Sequence, residues 1–380
     1  MRQIYLDYNA TTPIAPSVLE AMQPFLTGHY GNPSSAHALG RGAKEAMEDS
    51  RSKIGNMIGC DTGEIVFTSG GSESNNLAIK GVMFSHAPED AHIIISAIEH
   101  PAVTEPANFL KRLGYEVSVA PCDVNGIVQA SSVAELMRDN TRLVSVMHAN
   151  NEIGVVQPIG QIAKVCQQHE VLMHTDASQS VGKIPTFIQD LDVDLLTIAG
   201  HKFYGPKGIG ALYVRRGLTL ESLIHGAGHE NGIRAGTENT PYIVGLGQAA
   251  HLAANALDES AVGMARLRDR LEKQLREAIP GLKVNGGSVD RLPNTLSVSF
   301  PQVAGRDILA RLPELCASTG SACHSTGQVE SATLAAMGKG IDHIAGTIRL
   351  SCGWYTSQEE VDRVAGLLID AWENLSANCA

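Results

Sequence analysis

The sequence predicts an α/β fold built around a mostly parallel β-sheet. Seven short apolar runs between residues 64 and 214 have the length of buried strands. Helical patterns such as 36–58 and 159–169 separate several of these runs. Strands that alternate with helices are typical of parallel sheets that helices cover on both faces. The predicted strands are 64–67, 92–96, 117–120, 143–148, 171–175, 195–199 and 209–214.

The remainder of the chain predicts a smaller α+β domain. We expect a large domain over 15–255, and a small domain that combines 256–380 with the N-terminal arm, 1–14. Helical patterns at 241–257 and 263–279 lead from one domain into the other. The small domain adds predicted strands at 283–285, 295–300 and 347–351 and helices near 308 and at 361–375.

Composition excludes several classes of protein. The 380 residues are 43% hydrophobic, which is enough for sizeable cores, and no apolar run is long enough to span a membrane. The formal charge of −11 argues against a nucleic-acid-binding surface. Seven scattered cysteines without paired spacing predict reduced thiols and a cytoplasmic location. His225 and His229 are four residues apart, but the glycines around them disfavour the helix that a zinc site would need, so we expect no metal.

Lys202 is the first candidate functional residue. It follows the apolar run 193–199, which predicts a buried strand, and precedes the turn-rich segment 203–208. A lysine at the point where a buried strand opens into a loop is partly desolvated, which lowers its pKa and frees its amine to form a Schiff base. A surface lysine in a hairpin would produce the same local pattern.

Asp176 ends another apolar run, 171–174, and small polar residues follow it. A buried carboxylate is costly without a cation, and removal of the partner costs about 3–5 kcal/mol. We therefore expect a cation opposite Asp176. A protonated heteroaromatic nitrogen is one candidate and Lys202 is the other.

Residues 64–74 predict a phosphate-binding turn. A strand is followed by Thr-Ser-Gly-Gly-Ser and then by a helix that we expect to begin near Asn75. Free amides at a helix N-terminus and glycines that allow close approach are suited to an anion. The same residues could form an ordinary helix cap. A dinucleotide-binding glycine pattern occurs only at 245–250, inside a helical pattern with no strand before it.

Together, these features predict pyridoxal 5'-phosphate (PLP), which carries an aldehyde, a pyridine nitrogen and a phosphate. The chain resembles the cysteine desulfurases, with selenocysteine lyase, among the fold-type I PLP-dependent transferases related to aspartate aminotransferase. The resemblance runs nearly end to end, and implies a homodimer with shared active sites. The segments that carry it are 6–13, 31–35, 99–100, 148–154, 234–239 and 348–353.

The resemblance also implies residue roles. Lys202 is similar to the lysine that bonds covalently to PLP, and Asp176 to the partner of the pyridinium nitrogen. Gln179 resembles a residue that donates a hydrogen bond to the phenolic oxygen of the ring, with Asn151 beside it. Thr237 resembles the residue that reaches the phosphate of the neighbouring subunit. The remaining phosphate ligands that the resemblance implies are Gly71, Ser72 and His201.

For the substrate, the resemblance implies that Arg349 binds the carboxylate of L-cysteine, a task suited to a guanidinium. Asn32 and Asn151 are the other expected substrate contacts. Cys323, in a segment of small polar residues, is expected to take the substrate sulfur as a persulfide and leave alanine. His100, which resembles an imidazole that stacks on the ring and moves protons, is the candidate base.

Some positions differ from the resemblance. Ala199 stands where many desulfurases have a serine that contacts the phosphate, and this loss predicts weaker cofactor binding. Segment 226–232 and Trp354 also differ from the usual pattern. Segments 201–206, 237–241 and 322–325 are closer to selenocysteine lyase, so L-selenocysteine is the alternative substrate.

Three other functions are compatible with parts of the sequence. A PLP-dependent β-lyase or aminotransferase would use the same cofactor without Cys323, and an interaction protein could retain an inactive scaffold of this kind. An NAD-dependent dehydrogenase would rest on the glycines at 245–250 alone. The sulfur acceptor is not specified by the sequence: an iron–sulfur scaffold, a thiolation relay or a selenium pathway would fit a desulfurase.

Overall fold

The computed structural model describes residues 3–319 and 331–377. No helix within these ranges contains an apolar stretch long enough to cross a lipid bilayer. The strands are β1 (Ile4–Tyr5), β2 (Ile65–Thr68), β3 (His92–Ser96), β4 (Glu116–Ala120), β5 (Thr141–Ser145), β6 (Leu172–Asp176), β7 (Leu195–Ala199), β8 (Gly210–Val214), β9 (Lys283–Val284), β10 (Thr295–Ser299), β11 (Leu315–Cys316) and β12 (Thr347–Ser351). The helices are α1 (Pro16–Thr27), α2 (Ala38–Ile58), α3 (Gly71–Met83), α4 (Pro101–Arg112), α5 (Ala130–Ala134), α6 (Ile159–Gln168), α7 (Ile188–Leu191), α8 (Thr240–Ala278), α9 (Gly305–Ala310), α10 (Ala332–Ala336), α11 (Ile341–Ala345) and α12 (Gln358–Ser376).

The largest sheet in the described ranges has seven strands in the order β2-β8-β7-β6-β5-β3-β4. The pairs among β3, β4, β5, β6 and β7 are parallel, whereas β8 runs antiparallel to both of its neighbours. Strands β3 and β7 are buried along their whole length, because helices cover both faces of the sheet. The predicted α/β class with a mostly parallel sheet is confirmed.

Two helix predictions were wrong in detail. Helix α3 begins at Gly71 rather than near Asn75. The two helices predicted at 241–257 and 263–279 are one continuous helix, α8, of 39 residues. The sequence between them contains only helix-compatible residues and Gly263, and a single glycine costs a helix only about 1 kcal/mol.

Helix α8 contacts two separate hydrophobic cores. Its first half, including Leu246 and Ala250, packs into the core beneath the seven-stranded sheet. Its second half, including Leu271 and Leu275, packs into a core that contains β10, β12 and α12. The predicted domain boundary at 255/256 therefore lies inside α8, and the division into two domains stays a prediction.

The N-terminal arm lies against the second core. Strand β1 pairs in parallel with β11, and Asp7 forms an isolated bridge with Ser351 at the end of β12. The chain then crosses towards the large sheet, where the Thr12 amide donates to the carbonyl oxygen of His201 at 3.0 Å. This crossing places residues 7–12 over the carboxyl edge of the large sheet.

Candidate active site

The predicted site residues follow the carboxyl ends of neighbouring strands. Asp176 is the last residue of β6, and Lys202 ends a 3-10 turn directly after β7. His100 caps α4, four residues after β3, and Gly71 begins α3 just after β2. Because open α/β sheets bind ligands outside the carboxyl ends of their strands, this edge is the expected position of a site.

Asp176 is 5% exposed, and its two oxygens are held by different groups. Oδ2 accepts a hydrogen bond from Asn75 Nδ2 at 2.7 Å, and Oδ1 accepts one from the Ser178 amide at 2.9 Å. The other end of the Asn75 amide, Oδ1, is buried and has no hydrogen-bond partner among the described residues. The carboxylate is thus fixed in orientation at the floor of the site.

The buried groups around Asp176 favour their neutral forms. Burial lowers the pKa of His174 to about 4, although the charge of Asp176 opposes this shift. The His174 ring lies between the hydroxyls of Ser145, at 2.8 Å, and Thr197, at 3.1 Å. Burial also raises the pKa of Glu99 to about 8, and Asp176 acts in the same direction. Glu99 and His174, the buried neighbours of Asp176, are therefore neutral at pH 7.

Lys202 lies under the N-terminal arm. Its Nζ donates to the carbonyl oxygens of Asn9, at 2.6 Å, and Ala10, at 2.9 Å. The Asn9 carbonyl also accepts a hydrogen bond from Gln179 Nε2 at 2.9 Å. One carbonyl oxygen of the arm therefore joins Lys202 to the turn that follows Asp176.

Asn9 extends this connection to Asn151 and Arg349. Its side-chain Nδ2 donates to the Asn151 carbonyl at 3.1 Å, and Arg349 Nη1 donates to that same oxygen at 3.1 Å. Arg349 is 2% exposed and forms an ion pair with Asp7 at 2.6 Å. The structure thus brings together Lys202, Gln179, Asn151 and Arg349 through a single buried asparagine.

Three small residues surround the start of α3. A Cβ atom added to Gly71 would lie 3.1 Å from Ser178 Oγ and 3.3 Å from Ala199 Cβ, so a larger residue would be tightly packed there. Ser72 follows on the exposed side of this turn. The first amides of a helix have no partners within the helix and are available to an anion. Ser178 places a hydroxyl beside Gly71, where Ala199 supplies none.

His201 lies beside this turn in the fold and contacts the arm. Its Nδ1 is 3.1 Å from Thr11 Oγ1. Burial lowers the pKa of His201 to about 4, and the nearby charges of Lys202, Lys207 and Lys183 act in the same direction. His201 therefore offers a neutral ring at pH 7.

His100 lies on the exposed side of the site. Its Nδ1 accepts a hydrogen bond from the Ala102 amide at 3.1 Å, so the neutral ring carries its proton on Nε2. Partial desolvation lowers the pKa of His100, Lys202 acts in the same direction, and Asp176 opposes them. The charges of Asp176 and Lys202 are thus both felt at this imidazole.

Two predicted residues lie elsewhere on this chain. Asn32 and Thr237 are exposed, and Asn32 Oδ1 accepts a hydrogen bond from the Ser34 amide at 2.8 Å within its own loop. Their chain neighbours line a groove of about 450 Å³ that includes Arg51 and Glu230. The assignments of Asn32 and Thr237 stay predictions.

Cys323 lies outside the described residues, but both flanks of its segment are described. The Arg349 amide donates to the Ser318 carbonyl at 2.7 Å, which fixes the first flank beside the substrate end. On the other flank, the Ser331 hydroxyl donates to Glu152, next to Asn151. One flank therefore lies beside Arg349, and the other lies beside the residue that follows Asn151.

The sequence did not reveal the roles of Asn9, Asn75, Ser178 and Lys183. Asn9 lay in a segment that supported only the family resemblance, and its contacts reach residues as far away as Ser351. Ser178 stood within the motif that was read for Asp176. Of these residues, only Asn75 stood at a position that the sequence could have indicated, because it lies one turn into α3 and faces Asp176.

Comparison with known proteins agrees with this geometry. The sequence model of the family described as aminotransferase class-V matches residues 4–364. The chain belongs to this family, among its cysteine desulfurases. It is 45% identical to "Cysteine desulfurase IscS" of Dictyoglomus turgidum over 97% of this chain and 94% of that protein. It is 43% identical to the protein of the same name from Methanosarcina thermophila over 96% and 90% of the two chains.

Solved structures show the same relationship. A "NifS-like protein" superposes with a TM-score of 0.91 at 38% identity, covering 98% of this chain and 99% of the other. A structure described as "SspA in complex with cysteine" superposes with a TM-score of 0.83 at 38% identity, covering 93% and 99%. The predicted family and fold are confirmed, and PLP dependence is a property of that family.

The residues of this chain fit PLP. Asp176 is a buried carboxylate suited to a pyridinium nitrogen. Gly71 leaves space at the N-terminus of α3, where a phosphate would find free amides. Lys202 provides an amine on the same edge of the sheet. An acid, an amine and an anion site are the three features that the cofactor requires.

Proposed function

We propose that this chain is a PLP-dependent cysteine desulfurase that removes sulfur from L-cysteine, releases L-alanine and retains the sulfur as a persulfide on Cys323. The main support is the connection from Lys202 through Asn9 and Asn151 to Arg349. It sets an amine that can bind the cofactor and a guanidinium that can bind an amino acid within one hydrogen-bonded unit.

Lys202, Asp176, Gln179 and Asn151 would hold the ring of PLP. The phosphate would be bound by Gly71, Ser72 and His201, with Ser178 as an additional donor and Thr237 contributed from a second subunit. When bound, PLP supplies an electron sink that labilises the α-proton and the Cβ–S bond of an attached amino acid. Asp176 supports this chemistry because its fixed carboxylate stabilises a protonated ring nitrogen.

Arg349 would bind the substrate carboxylate. Its guanidinium is held in place by Asp7 and by the Asn151 carbonyl, so it is oriented before the substrate arrives. A planar guanidinium can form two parallel hydrogen bonds to a carboxylate, which fixes the amino acid relative to Lys202. Asn32 is a further proposed substrate contact.

The sulfur step needs a thiolate. The thiolate of Cys323 attacks the substrate sulfur, a new S–S bond forms and the Cβ–S bond breaks, with its electron pair passing to Cβ. Protonation of Cβ then gives alanine, so cysteine and one enzyme thiol become alanine and a persulfide without an external oxidant. Neutral His100 presents Nε2–H, which can stabilise the thiolate or supply a proton.

Within the described residues, three other cysteines are poorly suited to act as the nucleophile. Burial raises the pKa values of Cys60, Cys166 and Cys352 to about 12, so these thiols are poorly ionised at pH 7. Ser318, which is fixed beside Arg349, is five residues from Cys323, and five residues span at most about 17 Å. The length of chain from Ser318 to Cys323 therefore permits Cys323 to reach a substrate bound at Arg349.

Mass spectrometry of the holoenzyme after incubation with L-cysteine tests this proposal. We expect one additional sulfur on Cys323 and equimolar alanine. Cys323→Ser should retain the visible absorption of bound PLP and lose sulfur release, whereas the matched control Cys122→Ser should behave like the wild type. Alanine formation by Cys323→Ser at the wild-type rate would instead identify a β-lyase.

The sulfur acceptor, the homodimer and the cytoplasmic location belong to this proposal. An iron–sulfur scaffold or a thiolation relay would accept the persulfide. Some segments resemble selenocysteine lyase, so turnover of L-selenocysteine should be measured beside that of L-cysteine. Faster turnover of the selenium substrate, without a bound chalcogen on Cys323, would reverse the proposed preference.

A further inference from the structure

Lys183 is a buried lysine at the edge of the site to which no role has yet been given. It is 5% exposed, and its Nζ donates to two oxygens of Gln179: the carbonyl at 3.0 Å and the side-chain Oε1 at 3.1 Å. The preceding residue, Gly182, has φ +74, and a Cβ there would lie 3.0 Å from Phe203 Cβ. The turn that carries Lys183 is therefore closely packed in one conformation.

The contacts of Gln179 define which way its amide points. Oε1 accepts from Lys183, and Nε2 donates to the Asn9 carbonyl at 2.9 Å. Rotation of the amide by 180° would set its oxygen against the Asn9 carbonyl and its NH2 group against the amine of Lys183. One acceptor would then face another acceptor at Asn9, and one donor would face another donor at Lys183, since an ammonium group can only donate hydrogen bonds.

The amide nitrogen of Gln179 and the amine of Lys202 converge on the same acceptor, the Asn9 carbonyl. Because an amide nitrogen carries two hydrogens, Gln179 has a second N–H beyond the one given to Asn9. The direction of the amide therefore decides whether this part of the site offers a donor or an acceptor.

We propose that Lys183 is a positioning residue that holds the Gln179 amide with its NH2 group towards Asn9 and Lys202, so that the site offers a hydrogen-bond donor to the ring oxygen of PLP. The inference rests on the proposed function, because it concerns the same cofactor. Lys183 acts through Gln179 and does not itself contact the reacting atoms.

The charges around Lys183 make its hydrogen bond to the Gln179 side chain dependent on pH. Burial lowers the pKa of Lys183 to about 7, and the nearby cations Lys202 and Arg349 act in the same direction. Arg349 is itself paired with Asp7. Below this pKa the ammonium can only donate, whereas the neutral amine above it can also accept, so the amide is held more strongly at lower pH.

A double-mutant cycle on PLP binding tests the inference. The apo forms of the wild type, Lys183→Met, Gln179→Leu and the double variant are titrated with PLP, and visible absorption gives the dissociation constant and the pH midpoint of the bound chromophore. We expect each single variant to bind PLP about tenfold more weakly than the wild type. The pH midpoint of the bound chromophore should shift in the same direction in both single variants. The double variant should match Gln179→Leu alone, because Lys183 acts only through Gln179.

Two results would overturn the inference: an unchanged PLP affinity and pH midpoint in Lys183→Met, or additive losses of about a hundredfold in the double variant. Lys53→Met, which removes a surface ion pair with Asp49, is the matched control and should not change binding. If thermal unfolding shows that Lys183→Met does not fold, Lys183→Gln, which keeps one donor, enters the same cycle. Failure of the proposed function is separately visible as a wild-type holoenzyme that binds PLP but forms no persulfide.

Discussion

The two sides of the candidate site differ in how they manage charge. On the acid side, the buried neighbours of Asp176, Glu99 and His174, are neutral at pH 7 because burial raises the pKa of Glu99 and lowers the pKa of His174. On the amine side, the charges of Lys202 and Arg349 lie close enough to Lys183 to help lower its pKa. Most of the amine-side donors are directed at carbonyl oxygens of the arm and the loops.

Because their charges differ, the two sides of the cleft are suited to different tasks. A carboxylate whose buried neighbours are neutral is suited to a protonated ring nitrogen, because a nearby opposite charge favours the protonated form. On the amine side, Lys202 and Arg349 help to lower the pKa of Lys183, which favours its free amine form, and a cluster of cations attracts an anionic substrate. Four substitutions test this comparison.

Asp176→Asn should have the largest effect. Loss of the buried carboxylate removes about 3–5 kcal/mol of interaction with a protonated ring nitrogen, so kcat/KM for alanine formation should fall about 10³-fold. The amine side should be unaffected, and the protein should still form a covalent adduct with PLP through Lys202. Asp61→Asn, at an exposed ion pair, is the control. A loss smaller than tenfold would mean that Asp176 does not serve the ring nitrogen.

Arg349→Lys tests the amine side. A lysine keeps the positive charge but cannot form two parallel hydrogen bonds to a carboxylate, so KM for L-cysteine should rise about 10–100-fold while kcat changes little. Steady-state kinetics measure this division. Arg270→Lys, at the exposed pair with Asp362, should leave both constants unchanged. An unaltered KM in Arg349→Lys would exclude the proposed carboxylate contact.

His174→Gln tests the neutral surroundings of Asp176 through stability. The pKa of His174 is lowered to about 4, so the unfolded chain binds a proton more readily than the folded protein as pH falls below about 6.5. The free energy of unfolding should therefore decrease, with His174 contributing about 2 kcal/mol of the loss between pH 7 and pH 5.

Urea unfolding at the two pH values measures this loss, which should be smaller by that amount in His174→Gln. His251→Gln, on the exposed face of α8, should retain the wild-type loss. Equal losses in the wild type and in His174→Gln would show that His174 does not titrate in this range.

Glu99→Gln should have the smallest effect. Glu99 has its pKa raised to about 8, so the folded protein holds a proton that glutamine imitates, and kcat/KM at pH 7 should stay within about threefold of the wild type. As pH rises from about 4.5 towards 8, the unfolded chain releases this proton first, so the wild type loses stability that the variant retains.

Thermal unfolding across pH 6–9 would reveal this difference, with Glu105→Gln on α4 as the exposed control. A variant that is less stable than the wild type at every pH would mean that Glu99 is ionised in the folded protein. It would also mean that Asp176 has a second buried anion beside it.

The sequence predicted the acid side better than the amine side. The strand that ends at Asp176 was predicted because apolar runs mark buried strands and a charge at their end is conspicuous, whereas the role of Asp176 stays a prediction. The surroundings of Lys202 depend on Asn9, whose partners Thr295 and Ser351 are 286 and 342 residues away in sequence. Contacts over such distances leave no local pattern. Likewise, the continuity of α8 was not predicted, because its two halves pack against two separate cores and this packing leaves no local pattern in the sequence.

The position of Asn9 has a consequence for how the protein is made. During translation Asn9 leaves the ribosome long before Thr295 and Ser351, the residues that hold its side chain and its amide. The nascent chain can therefore complete the central sheet before the N-terminal arm is fixed over Lys202. A mature pocket forms only once nearly all of the polypeptide has been synthesised, which delays cofactor capture until the end of biosynthesis.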